Sequence, residues 1–207
     1  MKYEWRKEEK DIYLPPKHPV IVDVPRFKYL AISGSGNPNS QHFSEYVETL
    51  YAVSYAIRMS QKKGLEPENF YEYTVYPLEG IWDIIEGAKK FSEGTINKDE
   101  LVFTLMIRQP DFVSAEFAEM AKEWAKKKKP LSHIQELSFF EISDGKCIQM
   151  MHLGSYDNEQ KSFAIMNDFA QKNQLKRKSM KHKEIYISDP RKVVPEKLKT
   201  VLRFTVE

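Results

Sequence analysis

The sequence contains a single cysteine, Cys147, so no internal disulfide framework can hold the chain together. No apolar run approaches the roughly 20 residues that a membrane span requires. The start, Met1-Lys2-Tyr3-Glu4-Trp5-Arg6, lacks the apolar stretch of a signal peptide, and a cytoplasmic location is expected. Charge of one sign is not in surplus either: 32 Lys and Arg face 30 Asp and Glu, mixed along the chain, for a net charge of +2. No strong field is aimed at nucleic acid or a membrane surface, and neither partner is expected. The five histidines show no metal-ligand spacing and no accompanying cysteine pair, so no metal and no cofactor is expected. Glycine is scarce at eight residues, and Gly34-Ser35-Gly36 lacks the further glycine or lysine of a phosphate cradle.

Aromatic side chains, by contrast, are plentiful. Eleven Tyr, 12 Phe and three Trp make up 13% of 207 residues, enough to line a pocket as well as fill a core. A chain of this length buries a sizeable core without staples.

Residues 1–19 are charged, then proline-rich, and read as an N-terminal arm. Val20 to Ile32 predicts a strand bent at Pro25 and ending near Ser33. Between Gln41 and Ser60, Phe43, Val47, Leu50, Ser54 and Ile57 share a helical face, flanked by Tyr51 and Tyr55 one turn apart. Tyr71–Tyr76 predicts a strand closed by Pro77, and Gly80–Ile84 a short extended piece carrying Trp82. Glu86–Glu100 is polar and reads as a loop. Leu101–Ile107, with Phe103, is apolar on both faces and predicts a strand covered on both sides.

Ser114 is an expected N-cap for a helix over about 112–129 with Val113, Phe117, Met120 and Trp124 at helical spacing. Its closing lysines read as a solvated helix end. Asp144-Gly145 between Ser138–Ser143 and Lys146–Leu153 predicts a hairpin. Asp157 and Gln160 resemble a capping box for a helix carrying Phe163, Met166, Phe169 and Ala170. His182–Pro190 alternates polar and apolar and stops at Asp-Pro, as a strand entering a turn does. A last strand covers Thr200–Val206.

The order strand, helix, two strands occurs twice, at about 20–110 and 135–207. The expected fold is therefore α+β, a single domain over 20–207. Duplicated β-α-β-β units would form one antiparallel sheet, with helices on one side and a ligand groove at the pseudo-twofold. In that scheme Tyr73 and Tyr76 occupy the first-half counterpart of the strand holding Glu184.

Glu184 is the sharpest candidate for chemistry. A strand sends alternate residues to opposite faces, so His182, Glu184 and Tyr186 share one face while Ile185 and Ile187 take the other. On an aromatic floor the carboxylate could hold a cation or act as a general base toward water. His152, Gly154 and Tyr156 end a strand at the edge of the groove, where they either contact a ligand or cap the strand. Cys147 reads as a buried filler and not a nucleophile.

Several separated segments, in this order, resemble the GyrI-like small-molecule-binding domain family. They are Tyr76-Pro77-Leu78-Glu79-Gly80-Ile81-Trp82, Met106-Ile107-Arg108-Gln109-Pro110, Gln149 to Tyr156, and Glu184-Ile185-Tyr186. With no helix-turn-helix module ahead of it, the chain is similar to the stand-alone branch. The resemblance implies an aromatic pocket around one glutamate, which falls on Glu184, and ligands that are lipophilic or cationic aromatic small molecules. In transcription-factor relatives such a pocket senses multidrug-type cations, while some stand-alone members are associated with hydrolysing strained cyclopropane-bearing toxins. Two functions stay open: a detoxifying hydrolase, or a module that sequesters amphipathic cations without turnover. In the hydrolase reading Glu184 and a tyrosine would be catalytic, with Tyr55, Tyr51 and Tyr186 as the candidates. Tyr51, Tyr76, Trp82, Phe103, His152, Tyr156 and Tyr186 would contact the ligand.

Overall fold

The computed structural model describes residues 2–84 and 97–207. Most of the expected 86–100 loop therefore lies outside the described residues, and its end, Lys98–Glu100, is a 3-10 turn. The architecture is α+β, with five α-helices and six strands among the described residues. Strands β1 (Val20–Ser35), β2 (Leu78–Ile84), β3 (Leu101–Gln109), β4 (Ser138–Leu153), β5 (His182–Tyr186) and β6 (Lys199–Thr205) form one closed antiparallel sheet of order β1-β3-β2-β5-β6-β4.

The helices are α1 (Trp5–Glu8), α2 (Lys10–Tyr13), α3 (Gln41–Arg58), α4 (Ala115–Lys126) and α5 (Glu159–Lys172). The duplication is visible as β1-α3-β2-β3 followed by β4-α5-β5-β6. Both opening strands have 16 residues.

The chain forms two compact units, residues 1–3, 27–78 and 82–142, and residues 4–26, 79–81 and 143–207. In the first, β1 runs antiparallel to β3 from Lys28↔Gln109 to Ser35↔Val102. Helix α3 starts at Ser40, whose hydroxyl accepts from the Phe43 N–H, and α4 starts at Ser114, whose hydroxyl accepts from the Phe117 N–H. The buried face of α3 is Tyr46, Thr49, Leu50, Val53, Ser54, Ala56 and Ile57, rotated from the expected one so that Phe43 and Val47 are half-buried and Tyr55 faces water. On α4 the buried stripe runs through Phe117, Ala118, Ala121 and Ala125, and Met120 is exposed. Small alanines, which a search for large apolar residues passes over, let α4 approach α3 closely.

Gly34 is required by a close approach. A Cβ there would lie 2.8 Å from Cε2 of Phe103 and 3.0 Å from Cζ of Tyr46. Phe103 cannot swing away, because Phe43, Tyr46 and Trp82 already hold it at ring separations of 5.1, 5.6 and 5.4 Å. Gly34→Ala is expected to cost about 1–3 kcal/mol, read as a lowered urea midpoint at unchanged m-value.

Tyr71–Tyr76 is not a strand, contrary to expectation. Only Tyr73 pairs, in a single parallel bridge with Tyr3, and its carbonyl accepts from Arg58 Nε at 2.8 Å. Pro77 follows, and the alternation reflects burial of Tyr73 and Tyr76 against other rings and Arg108. The counterpart of β5 is β2, so neither tyrosine sits in the position the duplication suggested.

In the second unit β6 is flanked by β4, from Cys147↔Thr205 to Leu153↔Lys199, and by β5, from Lys183↔Arg203 to Tyr186↔Thr200. The expected hairpin at Asp144-Gly145 is absent, and β4 passes straight through it. Gly145 adopts φ +63° inside the continuous strand, as the glycine of a bulge does, so the left-handed residue bends the strand without reversing it. Asp157 does not cap α5. Ser155 accepts from the Asp157 N–H at 3.3 Å, and a 3-10 turn over Tyr156–Asn158 leads into the helix.

Ile148, Met150, Met166, Ala170, Leu202, Phe204 and Val206 form the core of this unit. Residues 5–13 are folded onto it with Trp5 and Tyr13 buried. Arg203, buried, donates through Nε and Nη2 to Gln149 Oε1 at 3.0 and 2.7 Å and through Nη2 to the Ile12 carbonyl at 2.6 Å. On the Ile185 side of β5 lies Lys183, buried, 2.5 Å from Asp144 Oδ2 and 3.6 Å from Glu79 Oε2.

Candidate functional site

On the other side of β5, the period of two brings His182, Glu184 and Tyr186 together in the second unit. Glu184 is buried, and its two oxygens are separately held. Tyr186 Oη donates to Oε2 at 2.8 Å, and His182 Nε2 lies 3.0 Å from Oε1, donating when the proton is on that nitrogen. The His182 ring sits edge-on to Phe163, centroids 4.7 Å apart, which fixes its plane. The Tyr186 ring meets Tyr156 edge to face at 5.9 Å and 90°.

A second carboxyl completes the cluster. Glu159 heads the buried stripe of α5, followed by Ser162, Met166 and Ala170. Burial, the Glu184 charge and a side-chain hydrogen bond to Glu184 push its carboxyl up to about 10, so Glu159 holds a proton at neutral pH and Glu184 accepts from it. Its Oε1 is buried with no hydrogen-bond partner among the described residues. Burial and the nearby carboxylates of Glu184, Glu159 and Asp189 likewise push the Tyr156 phenol up to about 12, which keeps it a proton donor. The site thus juxtaposes an acceptor, Glu184, with a carboxylic acid and two phenols in a poorly hydrated setting.

Sequence reasoning missed Glu159. Its signal was available as a carboxylate at the spacing of an apolar helix stripe, 159, 162, 166 and 170, where solvated glutamates do not belong.

Because the folded-state value of Glu159 lies far above its ordinary 4.5, the unfolded chain releases this proton first as pH rises. Stability is then lost as pH climbs from about 4.5 toward 10, at up to about 1.4 kcal/mol per pH unit. Glu159→Gln, neutral in both states, is expected to flatten that slope and to melt higher than the wild type at pH 9. Urea denaturation at pH 6 and pH 9 checks this, and parallel slopes in the two proteins would contradict it.

The remaining expected site residues fall elsewhere. His152 is buried, with Nδ1 2.9 Å from Ser162 Oγ and Nε2 3.1 Å from the Ser155 carbonyl, where it secures the turn into α5. In the first unit, Trp82 and Phe103 belong to the cluster with Phe43 and Tyr46. Tyr51 and Tyr55 neighbour one another on α3 at 6.3 Å, and Tyr76 lies 4.5 Å from the Arg108 guanidinium. The buried Cys147 thiol is pushed up to about 11, chiefly by burial, and is no nucleophile at neutral pH.

Among the described residues two clusters have metal-ligating geometry. Glu159, His182 and Glu184 form one, and His42, Glu45 and His133 the other, each with ligand atoms within 4.8 Å of one another. In the first, an ion would have to displace the proton held by Glu159.

The GyrI-like small molecule binding domain family matches residues 17–207. The chain belongs to the GyrI-like family. A hydrolase from Listeria innocua is 36% identical over 100% of both chains, with a TM-score of 0.92. An uncharacterized conserved protein from the same organism is 37% identical, again over 100% of each, at 0.89. The C-terminal domain of EcmrR shares the GyrI-like fold at 12% identity, covering 95% of this chain and 98% of that one, with a TM-score of 0.54. No curated protein matches the sequence. No helix of the described residues is long and apolar enough to cross a membrane.

Proposed function

We propose that this GyrI-like protein is a hydrolase that opens electrophilic, cyclopropane-containing small molecules, with Glu184 as the general base. The observation that carries the reading is the buried Glu184 carboxylate, gripped by His182 and Tyr186 and adjoined by the protonated Glu159. The likeness to a hydrolase at 36% identity over the whole chain supports it.

The chemistry is a balanced addition of water. Glu184 takes one proton from a water molecule as the water oxygen bonds to the electrophilic ring carbon. The strained carbon–carbon bond breaks, its electron pair leaves on the departing carbon or a conjugated acceptor, and a proton from Tyr186 or Glu159 completes the product. Two fixed donors beside one acceptor reduce the reorganisation this step needs. Tyr156 and Tyr186, whose rings meet beside Glu184, are assigned the aromatic contacts with the ligand, to be tested by substitution one at a time.

Incubation with a cyclopropane-bearing electrophile, followed by mass spectrometry, is expected to show product heavier by one water. Quenching of tryptophan fluorescence by lipophilic aromatic cations with no product from any such electrophile would favour the sequestering reading instead.

A further inference from the structure

We propose that His42, Glu45 and His133 of the first unit form a site for a divalent cation of zinc-like character, separate from the Glu184 cluster. His42 and Glu45 stand three residues apart on the first turn of α3, a spacing that puts both side chains on one face. His133 comes from the segment after α4. Glu45 Oε2 lies 3.7 Å from His133 Nε2 and 3.9 Å from His42 Nδ1. These separations are too long for hydrogen bonds. They are slightly wider than the roughly 3.3 Å between ligand atoms around a tetrahedral zinc with bonds of about 2.0–2.1 Å. All three ligand atoms lie within 4.8 Å of one another, and the two less buried side chains, exposed His42 and half-buried Glu45, can close in on an ion held by His133.

A second observation concerns His133 alone. Its side chain is 7% exposed, and Nε2 is buried with no hydrogen-bond partner while facing Glu45. The opposite nitrogen, Nδ1, lies 3.0 Å from Glu136 Oε1. A carboxylate on one ring nitrogen fixes the tautomer and leaves the other nitrogen as a lone-pair donor, which is how metal-bound histidines are oriented. His42 is held by a similar contact, with Nε2 3.0 Å from the Tyr46 hydroxyl; when that nitrogen carries the ring proton and donates it to the phenol oxygen, Nδ1 is a lone-pair donor. Tyr46 in turn stacks on His133 at 3.8 Å and 19°, so one side chain positions both imidazoles.

Two imidazoles and one carboxylate are a borderline donor set, suited to zinc or cobalt before calcium or magnesium. Three protein ligands leave a fourth position open to water. No contiguous motif announces the site, because its third ligand enters from a distant part of the sequence.

The test is titration of the untagged, metal-free, full-length protein with Co(II), then displacement by zinc. One equivalent is expected to give the visible absorption of a tetrahedral site and to be displaced by one equivalent of zinc. His42→Ala and Glu45→Gln, both on accessible side chains that folding does not require, are each expected to weaken zinc binding more than roughly hundredfold. Glu136→Gln, which orients His133 without ligating, is expected to weaken it about 10- to 100-fold. Glu184→Gln is expected to bind as the wild type does. Absence of stoichiometric binding, unchanged affinity in His42→Ala, or loss of binding in Glu184→Gln would each overturn the proposal, the last by moving the ion to the other cluster.

Discussion

Glu184→Gln is expected to lose hydrolytic turnover by roughly 10²- to 10⁴-fold, the contribution of a well-placed general base. The substitution is informative because it changes so little else. Glutamine keeps the shape of glutamate, and its carbonyl can still accept from Tyr186, which donates to Oε2 at 2.8 Å. What disappears is the negative charge and the ability to take a proton from water. Aromatic ligands should therefore still quench tryptophan fluorescence with affinities within a few-fold of the wild type, so that kcat falls while binding persists. The same change removes the charge that helps hold the Glu159 proton, and the Glu159 carboxyl should move back toward its ordinary range. Retained hydrolysis in Glu184→Gln would remove Glu184 as the base.

Lys183→Ala is expected to cost about 3–5 kcal/mol, a drop in melting temperature of roughly 10–15 °C for a chain of this size. Lys183 shares β5 with Glu184 but points the opposite way, toward Asp144 at 2.5 Å and Glu79 at 3.6 Å, and the side chains of Lys183 and Glu79 are only 5% and 1% exposed. Truncation takes away a cation shared by two buried carboxylates and leaves both less compensated where water is largely excluded. A double-mutant cycle with Asp144→Asn separates the pairwise interaction from the desolvation cost. If it is the uncompensated charge that destabilises, Lys183→Ala/Asp144→Asn should recover part of the loss. A melting temperature for Lys183→Ala within about 2 °C of the wild type would show that the triad carries little stability.

Elements that advertise themselves through local physics were legible in the sequence. Ser114 sits ahead of periodic apolar residues and caps its helix, and the apolar periodicity between Gln41 and Ser60 marks α3. Leu101–Ile107, apolar throughout, is a buried strand, and the alternation at His182–Tyr186 sets Glu184 and Tyr186 on one face. Misreadings arose where one local signal serves two structures. Asp144-Gly145 suits a tight turn and a bulge alike, because both place a glycine in the left-handed region; the hairpin turn needs Asp144 there too, and only Gly145 adopts it. Tyr71–Tyr76 alternates as a strand does, yet forms a single bridge, to Tyr3, since ring burial and not a ladder dictates the pattern. Glu159 and Lys183 were missed for a shared reason. Charged residues default to water in any sequence reading, and their burial depends on partners, Glu184 in one case and Asp144 and Glu79 in the other, that only tertiary structure supplies.

The Arg203 side chain ties the strand β6 to the carbonyl of Ile12, 191 residues earlier. Translation at the usual 5–20 residues per second separates the appearance of these two partners by about 10–40 seconds. The segment from Trp5 to Tyr13 therefore leaves the ribosome long before the strand that holds it exists, and must wait with its buried Trp5 and Tyr13 uncovered. The other unit draws nearly all of its chain from residues 27–142 and can condense during that interval. Synthesis thus imposes an order in which the unit carrying Glu184 is the last to assemble, and a chain truncated before β6 would leave Glu184 on a strand without the neighbour it pairs with, even with all residues through Tyr186 present.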